Sequence, residues 1–252
     1  MTRNSPATSA PNLSGQVVTM CFFRFRPLRH RLWAFAQMAL ARRPLARTEG
    51  IGFFKLMGAG TGEGFTPKPD TGAVVILTTW PDLATAERQT RDAPVFRRYR
   101  ARADEVWTIH LTPRSAWGAW SRQMPFQPRG PVGDTAVVAL TRATVRLPVL
   151  LKFWRRVPDI QRAIGGDANV IFKQGVGEVP WLHQMTFSIW PDTRAMAAFA
   201  RADGPHARAI AAVRAGNWFA EELYARFSIL KSEGSWGGRD PLERLSALQA
   251  AE

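Results

Sequence analysis

The chain has 252 residues, 46% apolar and 21% charged, which fits a globular protein with a substantial core and excludes bulk disorder, collagen and coiled coil. No apolar run approaches the roughly 18 residues of a membrane-spanning helix, and a lone cysteine, Cys21, excludes internal disulfides and multi-cysteine metal sites. The net charge of +14 comes mostly from Arg, Lys occurring only at 55, 68, 152, 173 and 231; it permits an acidic partner or an anionic surface without selecting one.

Residues 1–16 are rich in Ser, Pro, Asn and Thr and read as a flexible tail. They do not read as a secretory signal, because the apolar run 17–23 comes before its positive charges, Arg24, Arg26 and Arg29. Periodicity then predicts a strand at 17–25, a helix at 28–42, strands at 51–57 and 73–80, a helix at 82–102 and a strand at 105–112. This first half is placed at 17–122. The stretch 123–134 holds Pro125, Pro128 and Pro131 and reads as a linker. The second half, 135–238, repeats the order with a strand at 135–144, a helix at 148–164, strands at 169–174 and 182–190, a helix at 192–215 and a mixed segment at 217–230. Residues 239–252 form a C-terminal tail.

Matching elements in matching order point to an internal duplication. Thr79-Trp80-Pro81-Asp82 returns as Ile189-Trp190-Pro191-Asp192. Phe53-Phe54-Lys55, leading into Gly58, Gly60 and Gly62, is matched by Ile171-Phe172-Lys173 leading into Gly175 and Gly177. Asp92-Ala93-Pro94 parallels Asp203-Gly204-Pro205, and Ser115-Ala116-Trp117-Gly118 parallels Ser235-Trp236-Gly237. In each Trp-Pro-Asp corner the Asp is expected to cap a helix. The fold class expected is α+β: tandem ferredoxin-like βαββαβ repeats fused in one chain into a dimeric-type α/β barrel, sheet against sheet around a shared cavity.

The candidate chemistry lies where the halves differ. Pro94-Val95 becomes Pro205-His206, which places His206 in the first turn of a helix, on one face with Ile210 and Val213. The helix dipole disfavours imidazolium there, and neutral imidazole suits iron ligation; a buried His bonded to backbone fits the same pattern. Strand alternation puts His183 on a face with Trp181, Met185, Phe187 and Ile189, a cavity wall or the sheet core. Lys55 and Lys173 occupy matching strand ends, where each could hold an acidic group or simply cap the strand. The glycines at 58, 60, 62 and 64 run into a proline loop instead of a helix, so no dinucleotide or phosphate loop is expected. No GxSxG element occurs, and Cys21 reads as buried. No nucleic-acid-binding motif accompanies the basic charge.

Several blocks resemble the spheroidene monooxygenase family, the acyclic carotenoid 2-ketolases. They are Arg31-Leu32-Trp33-Ala34-Phe35-Ala36-Gln37-Met38, the glycine element 58–69, Ser115-Ala116-Trp117-Gly118, Ala139-Leu140-Thr141-Arg142-Ala143-Thr144-Val145, and Gly175-Val176-Gly177-Glu178-Val179-Pro180. Thr186-Phe187-Ser188-Ile189-Trp190-Pro191-Asp192, Gly204-Pro205-His206 and the block 217–227 complete the set. The resemblance implies a haem b monooxygenase that uses O2 and an external electron donor of ferredoxin type. It would hydroxylate a spheroidene-type carotenoid twice at one carbon, leaving a 2-keto group after loss of water. It implies His206 as axial iron ligand, with His183 as rival, and Arg226, Lys55 and Trp218 as propionate contacts or pocket walls. The implied location is cytoplasmic, with peripheral membrane contact permitted by the charge. A cofactor-free monooxygenase and a non-catalytic pigment-binding protein on the same barrel are the competing readings.

Overall fold

The computed structural model describes residues 14–62, 68–131, 133, 135–155, 169–179, 181–201 and 216–249. The first half runs β1 (Ser14–Arg24), α1 (Leu28–Leu40), α2 (Arg42–Ala46), β2 (Phe54–Gly60), β3 (Pro69–Asp82), α3 (Leu83–Asp92), α4 (Pro94–Arg100) and β4 (Glu105–Gly118). The second runs β5 (Val137–Val145), β6 (Phe172–Gly177), β7 (His183–Trp190), α5 (Thr193–Arg201) and β8 (Phe219–Gly234), followed by α6 (Glu243–Gln249) in the expected tail. The Asp of each Trp-Pro-Asp corner caps as its chemistry dictates. Asp82 accepts the Thr85 amide and Asp192 the Ala195 amide, both at 2.7 Å.

The described strands close into an antiparallel barrel in the order β1-β3-β2-β6-β7-β5-β8-β4. Each half contributes its strands in one order, β2-β3-β1-β4 and β6-β7-β5-β8. The seams are unequal. Between β2 and β6 the register pairs Gly58 with Gly177 and Ala59 with Val176, whereas β4 and β8 pair from Trp107–Gly234 to Gly118–Leu223.

Alternation along each strand separates two surfaces. The inward set includes Met20, Phe22, Met57, Val75, Leu77, Trp107, Ile109, Leu140, Met185, Phe187 and Phe227, all essentially buried. Their rings interlock. Phe22 stacks on Trp107 at 4.6 Å, Trp107 meets Phe172 at 4.7 Å, and Phe187 lies 5.8 Å from Phe22. The cavity expected between the sheets is therefore occupied by aromatic packing. Its two ends are closed by equivalent tryptophans. Past the end of β4, Trp120 forms an isolated bridge with Gln123; past β8, Trp236 forms the same bridge with Arg239. The residues between them take positive φ, Ser121 and Arg122 in one turn and Gly237 and Gly238 in the other. Two successive positive φ values define a type I′ turn, which explains the glycines at the second site. Trp236 thus matches Trp120, and the alignment of Trp117 with Trp236 expected from sequence is three residues out. Gly118 and Gly234 open these turns at φ +95° and +97°, where a Cβ would collide with a facing carbonyl.

The lysine equivalence is also corrected. Lys55 pairs with Leu77 and faces inward, whereas Lys173 pairs with Ser188 and faces outward. The register matches Lys173 to Phe54, since a one-residue slip reverses the face. Gly58 and Gly60 lie within β2 and not in a loop.

Candidate functional site

Two places carry chemistry, one on each surface of the barrel wall. The first is a polar cap at the Trp120 end. Lys55 (β2), Arg142 (β5), His183 (β7) and Glu221 (β8) share the inward parity, and Glu178 follows β6 with it. Glu178 joins the halves: it accepts the Trp120 indole N–H at 2.6 Å and the Lys55 ammonium at 2.9 Å, and lies 3.8 Å from the Arg142 guanidinium. Lys55 also donates to the Ser121 hydroxyl at 2.6 Å. Glu221 pairs with Arg142 and accepts the amides of Ser121 at 3.0 Å and Arg122 at 2.7 Å. These bonds satisfy a non-glycine turn in the left-handed region. Burial pushes the Glu221 carboxyl up, but the two amides and Arg142 outweigh it and hold the group below the usual carboxylate range. His183 stands 3.9 Å from Glu178. Burial lowers its basicity, Glu178 opposes this, and Arg142 and Lys55 add to the lowering. Its Nδ1 has no hydrogen-bond partner. The cap is an ion network in which Arg142 Nε and His183 Nδ1 are the buried polar atoms left without a hydrogen-bond partner among the described residues. Its acids are already paired with cations and indole.

The second place is the outer surface of the second half. Equivalent outward positions can be compared directly through the pairing register. In the first half Phe54, Leu56, Ile76, Cys21, Phe23 and Val74 face outward and pack with Trp80, Phe96 and Tyr99 under the helices. In the second half the corresponding positions are Lys173, Gly175, Thr186, Thr141, Ala143 and Gln184. Bulk is replaced by small and polar groups across the middle of the sheet. Cys21 is fully buried, yet its counterpart Thr141, on the equally central strand β5, is exposed. Among the described residues, apolar packing on this surface lies at the margins. Val137, Val170, Trp190 and Met196 form one cluster; Val145, Phe153 and Trp218 form another. Between them one row of neighbouring residues runs Lys173, Ser188, Ala139, Arg226. This is a floor of mostly short side chains, with a cation at each end of a row and with Gln184 and Tyr224 facing outward beside Ala143 and Thr141.

The residues picked out from sequence are dispersed over these places. Lys55 and His183 belong to the polar cap. Arg226 lies on the outer floor, exposed. Trp218 is buried in a marginal cluster, with the Lys152 ammonium 5.2 Å from its ring centre. His206 lies outside the described residues. Among the described residues no group of three His, Cys, Asp or Glu side chains could hold a metal ion. Sequence reasoning passed over Glu178, Arg142 and Glu221. Glu178 closes the second glycine element and could have been noticed there. The small-residue floor also left a signal, the alternation of Ala139, Thr141 and Ala143 where the first half has Thr19, Cys21 and Phe23.

By class, the molecule is an α+β protein built on a closed antiparallel barrel. It shares this architecture with two crystal structures of aldoxime dehydratase, at TM-scores of 0.57 and 0.59, each 13% identical, covering 91% and 93% of this chain and 88% and 89% of theirs. No protein-family model matches the sequence. Curated relatives do. The spheroidene monooxygenase of Cereibacter sphaeroides is 49% identical over 92% of this chain and 72% of its own, and that of Rhodobacter capsulatus 48% identical over 90% and 95%. The enzyme of Rubrivivax gelatinosus is 33% identical over 93% of this chain and 89% of its own. The chain belongs to the spheroidene monooxygenase family, and it is an oxidoreductase of the monooxygenase class.

Proposed function

We propose that this chain oxygenates spheroidene-type acyclic carotenoids, inserting a 2-keto group by two successive O2-dependent hydroxylations. The relationship to enzymes named for spheroidene supports the substrate class. We place the reaction at the outer floor of the second half and read the barrel as two fused ferredoxin-like halves, which the shared strand order supports.

The described part of that floor fits a haem. A flat macrocycle needs a patch of short side chains, and Ala139, Thr141, Ala143, Gly175, Thr186 and Ser188 provide one, edged by Gln184 and Tyr224. Its carboxylate edge needs a cation, and Lys173 and Arg226, at opposite ends of one row, offer one on either side of the floor. We assign His206 as the residue that would hold the iron. His183 faces the opposite surface, beside Glu178, and serves the polar cap. Bound haem would supply the activation of O2, the chemistry that side chains lack. The chain itself contributes a rigid floor, apolar margins that exclude water, and cationic ends that fix orientation. An external donor of ferredoxin type would supply electrons, and the basic charge favours an acidic one.

The observation that carries this reading is the replacement of Cys21, Phe23 and Ile76 by Thr141, Ala143 and Thr186 at matched positions of the two sheets. The test is to supply haem-loaded protein with spheroidene, a reductant and isotopically labelled O2, and to analyse the pigment by mass spectrometry. A ketone carrying label that forms only with haem supports the proposal. The same ketone from haem-free protein would favour the cofactor-free reading, and unchanged bound pigment would favour a carrier.

A further inference from the structure

The helix α1 presents its apolar side to solvent. Leu28, Leu32, Phe35 and Ala39 follow at i, i+4, i+7 and i+11 and so share one face. That face points outward: Leu28 is 68% exposed, Leu32 62% and Phe35 78%, and Leu40 beside it is 65% exposed. The face toward the barrel carries Ala34, buried, with Trp33 and Met38 packed on the core of the first half. A helix of a soluble domain ordinarily turns charged residues outward; this one turns Leu28, Leu32, Phe35 and Leu40 outward. Contiguous exposed apolar surface of this kind marks an interaction site.

The charges around it identify the partner. Arg29 lies on the flank of the stripe, and Arg42, Arg43 and Arg47 follow at its C-terminal end, all exposed. The sequence holds no Asp or Glu before Glu49. Among the described residues, Asp70 is held by Arg24 and Asp104 by the Arg26 amide. A protein interface places charges at specific complementary points, whereas an apolar stripe bordered by unmatched Arg is what lies well in the plane of an anionic bilayer.

We infer that α1 and the start of α2 form a docking surface for an anionic lipid bilayer, with Leu28, Leu32 and Phe35 entering the acyl boundary and the arginines meeting headgroup phosphates. The inference deepens the carotenoid reading, because an acyclic carotenoid partitions into lipid and must be collected there. Its test does not involve the reaction, so either can fail while the other stands.

Full-length protein is sedimented with vesicles of phosphatidylcholine alone or mixed with phosphatidylglycerol. The wild type is expected to bind the mixed vesicles and not the neutral ones. The double variant Leu32→Ser, Phe35→Ser should partition at least about tenfold more weakly. Arg42→Gln, Arg43→Gln, Arg47→Gln should weaken binding most at low salt. As a readout that spares the fold, a Phe35→Cys protein is labelled with an environment-sensitive dye, Cys21 being buried; its emission should shift to the blue on mixed vesicles only. The inference is overturned if the wild type binds neither vesicle, if the serine variant binds as the wild type does, or if the dye is unmoved. It is also overturned if the stripe instead joins two copies of the chain, seen as a dimer that the serine variant disperses, or if it captures only an acidic protein.

Discussion

His110 and Cys21 show what burial does to single groups on the outer side of the first sheet. His110 is fully buried with neither ring nitrogen hydrogen-bonded. Burial lowers its basicity, Glu233 and Glu87 oppose this, and Lys231 and Arg100 reinforce it. The unfolded chain therefore takes up this proton first as pH falls below the ordinary imidazole value of about 6.5. Stability contributed by neutral His110 is complete above that value and is lost on acidification toward the lower folded value. Denaturant titrations from pH about 7 to about 5.5 should show stability falling, and His110→Phe should flatten that limb. The Cys21 thiol is pushed up to about 11 by burial, an effect that Thr108 and Arg100 only partly offset. Native protein at pH about 8 should resist alkylation, and denatured protein should react fully. At the polar cap, Glu221→Gln leaves the buried Arg142 with only the more distant Glu178 carboxylate, 3.8 Å away, and weakens the clamp on the Ser121–Arg122 turn. A loss of about 3 kcal/mol in unfolding free energy is expected. An equal loss in Arg142→Met would show the pair to act as a unit.

Among the elements, the starts of the helices following the Trp-Pro-Asp corners were legible because capping is local, whereas the single helix expected at 82–102 divides at Pro94 into α3 and α4. Removing either cap, by Asp82→Ala or Asp192→Ala, should lower stability by about 1 kcal/mol, read from the denaturation midpoint. The strands were legible too, through alternation and β-branched runs, although their ends shifted by several residues. What sequence could not supply was register. Lys55 and Lys173 look equivalent in the chain yet face opposite surfaces, and Trp117 was matched to Trp236 in place of Trp120. Both errors come from aligning residue types where only hydrogen-bond pairing fixes the face. The floor of the second sheet makes a test at this scale. Thr141→Phe combined with Ala143→Phe refills the positions that Cys21 and Phe23 fill in the first half. The protein should stay folded by near-ultraviolet circular dichroism and lose haem binding; retained haem would remove the floor from the account.

Across the whole molecule, two sets of four strands in the same order close a barrel whose interior is core and whose two outer surfaces differ. The shared interior is closed by Trp120 and Trp236, so it stabilises both halves and leaves the outer surfaces to do different work. The first half keeps a tight apolar layer under α3 and α4 and carries the exposed stripe of α1. Among the described residues, the second half carries that layer at its margins. Family membership was legible because long blocks spread over the chain carry it. The small-residue floor escaped notice because it appears only when the two sheets are compared position by position. The most direct test of the central claim is the absorption spectrum of haem-reconstituted wild type beside His206→Ala and His183→Ala. The account predicts a Soret band in the wild type, the same band in His183→Ala, and its loss or shift in His206→Ala. A wild type that binds no haem, or a band that depends on His183 and not on His206, would contradict it.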